Sequence, residues 1–373
     1  MKTDQEIIDL IIGGATRRQL NKEHGVNNYR HSKLYAMAAR QGYAPEHGLT
    51  RTAAPGFVLK GHSDFINEET GEISRRWLKY DTDKVKQFEM MKEAAYAMAS
   101  DISKEEKVKH KGIDNDQLCN LYTLSDTHFG ALAWHKENLE GDWDLSIAED
   151  TVVGCFRAMI EAAPPATSCI INELGDSLHQ DSFSPTTPAS GHVLSADGRF
   201  GKIVETVIRV IRRIVRIALE KHKHVKLLIA EGNHSPSSSV WMRKMFSALY
   251  EDEPRIEVDD SEIPYYVHQH GDVMLAFTHG HLKKKDSLPL LFAAQFPKSW
   301  GNSTKRYCHV GHFHHLEVKD HGGMTVTQHP TLAARDEYAS RHGFMSDRAA
   351  ICHTYHTKYG HVATNNVCPE MLQ

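Results

Sequence analysis

Leu118-Cys119-Asn120-Leu121-Tyr122-Thr123-Leu124-Ser125-Asp126-Thr127-His128 is the stretch that decides the fold. An apolar run of strand length stops at an acid and, two residues on, an imidazole. The same grammar returns downstream. Cys169-Ile170-Ile171 leads to Gly175-Asp176, and Leu227-Leu228-Ile229-Ala230 leads to Gly232-Asn233-His234. Met274-Leu275-Ala276-Phe277 leads to His279-Gly280, and residues 307–310 lead to Gly311-His312-Phe313-His314. Helical periods fall between several of these runs, over 146–162, 202–221 and 237–250. Strand, loop and helix alternate early, and short strands dominate late, with a turn at Gly322-Gly323. The pattern predicts an α/β core of mixed sheets. Open α/β sheets gather functional side chains in a crevice at the carboxyl ends of their strands, so these endings are expected to meet. The glycines beside them let the backbone turn sharply and approach closely.

Outward from that core, three regions are expected: 1–44, 45–117 and 118–373. The first reads as three short helices. Gly13-Gly14 stops the first, Thr16 caps the second, Gly25 turns the chain, and the third runs from Asn28 to Arg40. Helix, glycine turn and helix form a helix-turn-helix-like pattern. Between Gly13 and Tyr43 stand six Lys/Arg and one acid, Glu23. That local excess makes Arg17, Arg18, Arg30 and Lys33 candidate DNA contacts. A helical module for protein interaction or dimerisation is the competing reading. In the middle region, 44–56 reads as a linker and 57–80 as a β-hairpin turning at Glu69-Thr70-Gly71. Thr82 is expected to open a helix to about residue 100, with Val85, Phe88, Met91, Ala95 and Met98 on one face. The charged stretch 101–117 reads as a solvated connector. A polar loop, Gln180–Asp197, follows the second motif and is expected as a lid, a substrate wall or plain surface.

Composition narrows the classes. Net charge is −4 with histidines neutral, so the chain as a whole carries no electrostatic argument for nucleic acid. The anomaly is 26 histidines, clustered at strand ends. Cysteines 119, 155, 169, 308, 352 and 368 form no CxxC pair, which predicts reduced thiols in a cytoplasmic protein. No run of about 18 apolar residues exists, so no membrane partner is expected. The oligomeric state stays open, a homodimer included.

Taken in order, DxH, GD, GNH, H and GHxH over 118–330 resemble the calcineurin-like metallophosphoesterase superfamily. The resemblance implies an αββα sandwich of two mixed sheets. It implies that Asp126, His128 and His314 hold one metal, that Asn233, His279 and His312 hold a second, and that Asp176 bridges them. His234 would face the substrate. Two divalent ions sharing a carboxylate and a hydroxide provide a nucleophile near neutral pH and neutralise phosphate oxygens. The mixed nitrogen and oxygen donors suit manganese, with iron or zinc as alternatives. One departure stands out: Ser235 replaces the acidic residue that often follows GNH and orients the histidine. Asp181 or a backbone carbonyl would then have to orient His234. His179, three after Asp176, resembles the SbcD-like DNA-repair exonucleases, where such a histidine acts near the phosphate; a loop histidine without a role is the alternative. The overall architecture looks similar to phosphoesterases encoded by bacteriophages and prophages.

The expected function is thus a two-metal phosphodiesterase, DNA nuclease first. A phosphatase or small cyclic-nucleotide diesterase whose head binds a partner protein is the second reading. A DNA-binding regulator with a vestigial phosphoesterase fold is the third. His281 reads as a structural imidazole, with support of the ligands or an outer phosphate contact as the alternative; His309, His315, His329, His353, His356 and His361 read as structural or exposed imidazoles. Alternation along the strand would turn both His309 and His315 away from the ligands. Arg209, Arg212, Arg213 and Arg216 read as cover for the outer face of their helix.

Overall fold

The computed structural model describes residues 2–40, 43–45, 49–50, 57–67, 70, 72–102, 107–138 and 140–372. The chain divides into two compact units, Met1–Ala94 and Ala95–Gln373.

The first unit opens with α1 (Asp4–Ile12), α2 (Arg17–His24) and α3 (Asn28–Arg40). Thr3 and Glu6 form a capping box on α1, and Thr16 and Gln19 form another on α2. Gly25 ends α2 in the left-handed conformation, at φ 66°. Ile7, Ile8, Ile11, Leu20, Val26, Leu34 and Ala38 make a small closed core. Two-residue strands β1 (Tyr43–Ala44) and β2 (Leu49–Thr50) pair, and β3 (Phe57–Ile66) and β4 (Ile73–Thr82) form the expected hairpin. Most of the expected linker and part of the hairpin turn lie outside the described residues. Thr82 ends β4 rather than opening a helix; α4 (Lys84–Asp101) begins two residues later.

In the second unit, residues 107–117 are not a free connector. Lys111 N–H donates to the Glu220 carbonyl, Arg255 Nη1 donates to the Val108 carbonyl, and Lys111 pairs with Glu220. One six-stranded sheet has the order β15-β14-β5-β6-β7-β8, where β5 is Leu118–Leu124, β6 Ser168–Glu173, β7 His224–Ile229, β8 Ile256–Asp259, β14 Ala350–His356 and β15 Gly360–Val367. Strands β5 to β8 are parallel, and β14 and β15 are antiparallel additions. A five-stranded sheet has the order β12-β13-β11-β10-β9, where β9 is Tyr266–His270, β10 Val273–Phe277, β11 Lys305–Val310, β12 Glu317–His321 and β13 Met324–Gln328. Both sheets are mixed.

Pleat alternation explains the layering. On β10, Val273, Leu275 and Phe277 join Cys119, Leu121, Ile170, Leu228 and Tyr355 in a core between the sheets. Met274 and Ala276 point the other way, against Leu288 and Phe292 of α9 (Leu288–Gln295). On the far side of the larger sheet lie α6 (Leu145–Ala162), α7 (Phe200–Lys221) and α8 (Pro236–Leu249), packed on Tyr122, Leu124, Ile171 and Ile229. Ile203, Val207, Val210, Ile211, Ile214, Val215 and Ala218 give α7 a buried stripe. Arg209 and Arg213 on its other side pair with Glu149 of α6. The short helices α5 (His135–Asn138), α10 (Pro297–Gly301) and α11 (Glu337–Arg341) sit in loops. The fold class is the α/β sandwich of two mixed sheets, helices outside, that the motifs predict. All six cysteines are free thiols. Among the described residues, no helix is long and apolar enough to cross a membrane.

Candidate metal centre

Asp126 follows β5, Asp176 follows β6, Asn233 follows β7, His279 follows β10, and His312 and His314 follow β11. The seven residues predicted as metal ligands come together here. Asp126, His128 and His314 bring one donor atom each within 4.8 Å of one another, and Asp176, His279 and His312 do the same. Asn233 Oδ1 lies 3.1 Å from His279 Nε2. The groups adjoin: His279 Nε2 is 3.1 Å from Asp176 Oδ2 and 3.9 Å from Asp126 Oδ1. His314 Nε2 is 3.2 Å from Asp126 Oδ1 and 3.4 Å from His128 Nε2.

The backbone that presents these side chains is unusual. Asp126, His128, Asp176, His312 and His314 have φ of 51°, 42°, 55°, 73° and 58°. Among the described residues, no other non-glycine residue has positive φ. Such conformations cost about 1–3 kcal/mol each and persist only where the surroundings over-determine them. Here they do. Asp126 N–H donates to the Gly175 carbonyl at 3.1 Å, and His128 N–H to the Asp176 carbonyl at 3.0 Å. Thr331 Oγ1 donates to the Asp126 carbonyl at 2.5 Å. His312 N–H donates to Asp126 Oδ2 at 3.0 Å, and the Ser125 hydroxyl donates to that same oxygen. Ser346 Oγ donates to the His314 carbonyl at 2.7 Å. A Cβ at Gly232 would overlap Asp176, and one at Gly311 would overlap Ser125 and Asp126.

The donor set fits divalent cations. Asp126 Oδ1 is buried and has no hydrogen bond. Imidazole nitrogens face it and each other at close range. Burial would raise the Asp126 carboxyl, but His314 and His279 outweigh it and hold it well below the usual carboxylate range. Asp176 behaves likewise beside His279. Burial lowers His279, but Asp176 and Asp126 overcome this and push it up to about 10. Burial and neighbouring imidazoles keep His128 well below its ordinary value. The ring of His279 is oriented by the Leu174 carbonyl, 2.8 Å from Nδ1. Nitrogen and oxygen donors without a thiolate suit hard or borderline divalent ions rather than soft ones.

His234 sits at the edge of this group. Its N–H donates to Asp176 Oδ1 at 2.7 Å, and its Nδ1 lies 3.1 Å from the His179 carbonyl oxygen. Of the two orienting partners considered for it, the structure selects the backbone carbonyl. Asp181 serves α8 instead, accepting from Ser237 N–H at 2.9 Å and Ser238 N–H at 2.7 Å. Ser235, the residue before α8, makes no side-chain cap. His179 is buried, with Nδ1 3.3 Å from His128 Nδ1 and its ring stacked on His234 at 5.7 Å. Burial holds its pKa down at about 4.

Sequence reasoning passed over one neighbour, Glu173, and left the role of another, His281, between alternatives. Glu173, the last residue of β6, is buried and pushed up to about 8 by that burial; Gly175 N–H donates to its Oε1 at 3.2 Å. It reads in sequence as one more strand residue. His281 packs on His279 and His312, with ring centroids 5.3 and 6.1 Å away. His315 is the exposed imidazole expected, with Nδ1 on the Phe313 carbonyl, but strand alternation is not what places it, because β11 ends at Val310. His309, inside the strand, does turn away from the ligands, into the space between the sheets. The loop 180–197 is tied down at both ends, by Asp181 accepting from Ser237 and Ser238 N–H and by Asp197 N–H on the Gly130 carbonyl.

In the first unit, Arg17, Arg18 and Lys33 are exposed. Arg17 bonds Asn28 Oδ1 at 2.9 Å. Arg30 is half-buried and committed to Asp4 at 2.7 Å and to the Lys2 carbonyl.

No family model matches the chain, and no curated protein matches its sequence. Solved structures do align with it. One is a conserved uncharacterised protein, a predicted phosphoesterase, from Streptococcus pneumoniae, at 11% identity and TM-score 0.28, covering 68% of this chain and 91% of that one. Another is vacuolar protein sorting 29 from Cryptosporidium parvum, at 13% identity and TM-score 0.30, covering 67% and 95%. A third is YfcE, a phosphoesterase from E. coli, at 14% identity and TM-score 0.33, covering 66% and 98%.

Proposed function

We propose that the chain is a metal-dependent phosphoesterase, that its strand-end centre takes two divalent cations, and that its substrate is a phosphodiester, DNA first. The observation that carries the reading is the convergence of seven separately predicted donors into two adjoining groups around Asp126 and Asp176. Asp126, His128 and His314 would hold one cation, Asn233, His279 and His312 the other, and Asp176 both. Bound there, the cations supply a water of lowered pKa and charge to offset the phosphate oxygens.

The chain's own residues do the rest. The His179 carbonyl accepts from His234 Nδ1–H, so Nε2 is the nitrogen left for the substrate. When protonated, His234 delivers that proton to the leaving oxygen as the ester bond breaks. His179 fixes this arrangement by stacking and, through its carbonyl, by hydrogen bonding. DNA is favoured over a small ester by the basic three-helix unit, whose exposed Arg17, Arg18 and Lys33 suit phosphate contacts. Arg30 contributes less, being neutralised by Asp4.

Hydrolysis of bis-p-nitrophenyl phosphate with manganese, wild type against Asp176→Ala, tests the catalytic reading. Equal rates would end it and leave the vestigial DNA-binding regulator. Cleavage of labelled DNA by the full chain, against a variant with Arg17, Arg18 and Lys33 all changed to Glu, tests the substrate. Turnover of the small diester without cleavage of any DNA form would favour the nucleotide diesterase.

A further inference from the structure

Away from the strand-end centre, three more histidines meet. His309 on β11, His329 just beyond β13 and His353 on β14 are 0%, 1% and 7% exposed. Their ring centroids form a near-regular triangle of 5.1, 5.2 and 5.5 Å. One nitrogen from each lies within 4.8 Å of the other two. Two belong to the smaller sheet and one to the larger, so the triangle spans the gap between them. No carboxylate belongs to it.

We propose that His309, His329 and His353 form a second, structural cation site, specific for zinc or a similar imidazole-preferring ion, that staples the two sheets together. Buried polar atoms without partners are rare in folded proteins and ask for an explanation. Here His329 Nδ1 and His353 Nδ1 are buried with none. His309 Nδ1 is 2.8 Å from His329 Nε2, so these two nitrogens face one another and share one hydrogen when no cation is bound. The Tyr355 hydroxyl, 2.9 Å from His309 Nε2, occupies that nitrogen and leaves Nδ1 as the one turned to His329. Neutral imidazoles without carboxylates disfavour magnesium and calcium and favour zinc, cobalt, nickel or copper. Zinc takes closed, four-coordinate sites of this kind in structural roles. Residues 329–331 also run to Asp126, whose carbonyl accepts from Thr331 Oγ1, so the staple would brace the strained residue next door. The inference does not rest on the phosphoesterase reading, and shares no ligand with it.

The test uses the full chain with both strand-end groups disabled by His128→Ala, Asp176→Ala and His312→Ala, equilibrated with zinc, desalted and analysed by plasma mass spectrometry. One zinc per chain should remain. Adding His353→Asn should weaken its retention by at least about 10-fold. A chain that keeps no zinc, or keeps it undiminished after His353→Asn, overturns the proposal. If that variant fails to fold, zinc-edge anomalous diffraction from wild-type crystals decides. A peak amid the three rings supports the site, and its absence at saturating zinc leaves only a hydrogen-bonded imidazole chain.

Discussion

His234 Nδ1 lies 3.1 Å from the carbonyl oxygen of His179. A carbonyl only accepts, so Nδ1 carries the hydrogen and the tautomer of His234 is set by the backbone rather than by an acid. This answers the absence of an acidic residue at 235. His234→Ala should therefore lower kcat on bis-p-nitrophenyl phosphate by about 10²–10⁴-fold with KM little moved. Its metal content should match wild type, because His234 belongs to neither ligand group. A parallel loss of bound manganese would show that His234 acts as a ligand instead.

Asp181 holds the first turn of α8 from a distant loop. Asp181→Ala should cost about 1 kcal/mol in urea unfolding, as the loss of a helix cap does. His234 lies two residues before that helix, so kcat should fall as well. Unchanged stability would mean that α8 is capped by water alone.

Gly311 provides a test that removes no ligand. A Cβ there would overlap the Ser125 hydroxyl and the Asp126 carboxylate. Gly311→Ala should abolish tight manganese binding and reduce turnover by at least about 100-fold, a loss of at least about 2.7 kcal/mol in transition-state stabilisation. Gly322→Ala, in a turn where a Cβ meets nothing, should behave as wild type in both assays. Full activity in Gly311→Ala would contradict the close approach of β11's end to Asp126.

His222 makes stability depend on pH. It is fully buried, with Nδ1 on the Ala166 carbonyl and Nε2 on the Tyr122 hydroxyl, each at 2.8 Å. Burial holds its pKa down at about 4, against 6.5 when exposed. Below pH 6.5 the unfolded chain binds this proton and the folded chain does not, so stability is complete above that pH and falls as pH drops towards 4. The loss should reach about 3 kcal/mol at most. Urea midpoints at pH 7 and pH 4.5 should show a smaller fall for His222→Gln than for wild type; identical falls would refute the assignment.

Much of this was legible in the residues, for identifiable reasons. Strands β5, β6, β7, β10 and β11 are apolar runs bounded by glycine and polar ligands, so their ends could be placed to within a residue or two. The α7 stripe repeats strictly enough to read. Helix α9 was not foreseen because Leu288-Pro289-Leu290-Leu291-Phe292 is apolar on all sides and shows no period. Strand β8 is only four residues long. Within the site, the candidate ligands were readable as positions because each follows the end of an apolar strand. The Asp181 cap, the raised Glu173 and the histidine triangle were not, because each depends on contacts between segments far apart in sequence.

Five candidate ligands in left-handed backbone have an engineering consequence. Copying the seven side chains onto ordinary turns of another scaffold would aim them elsewhere, since their direction comes from main-chain torsions of 42° to 73°. A transplant would have to carry whole loops. At those five positions Asn, Asp, His and Gly keep the path open, whereas Val and Ile close it. Randomising them should yield survivors sorted by torsional tolerance first and by metal affinity second.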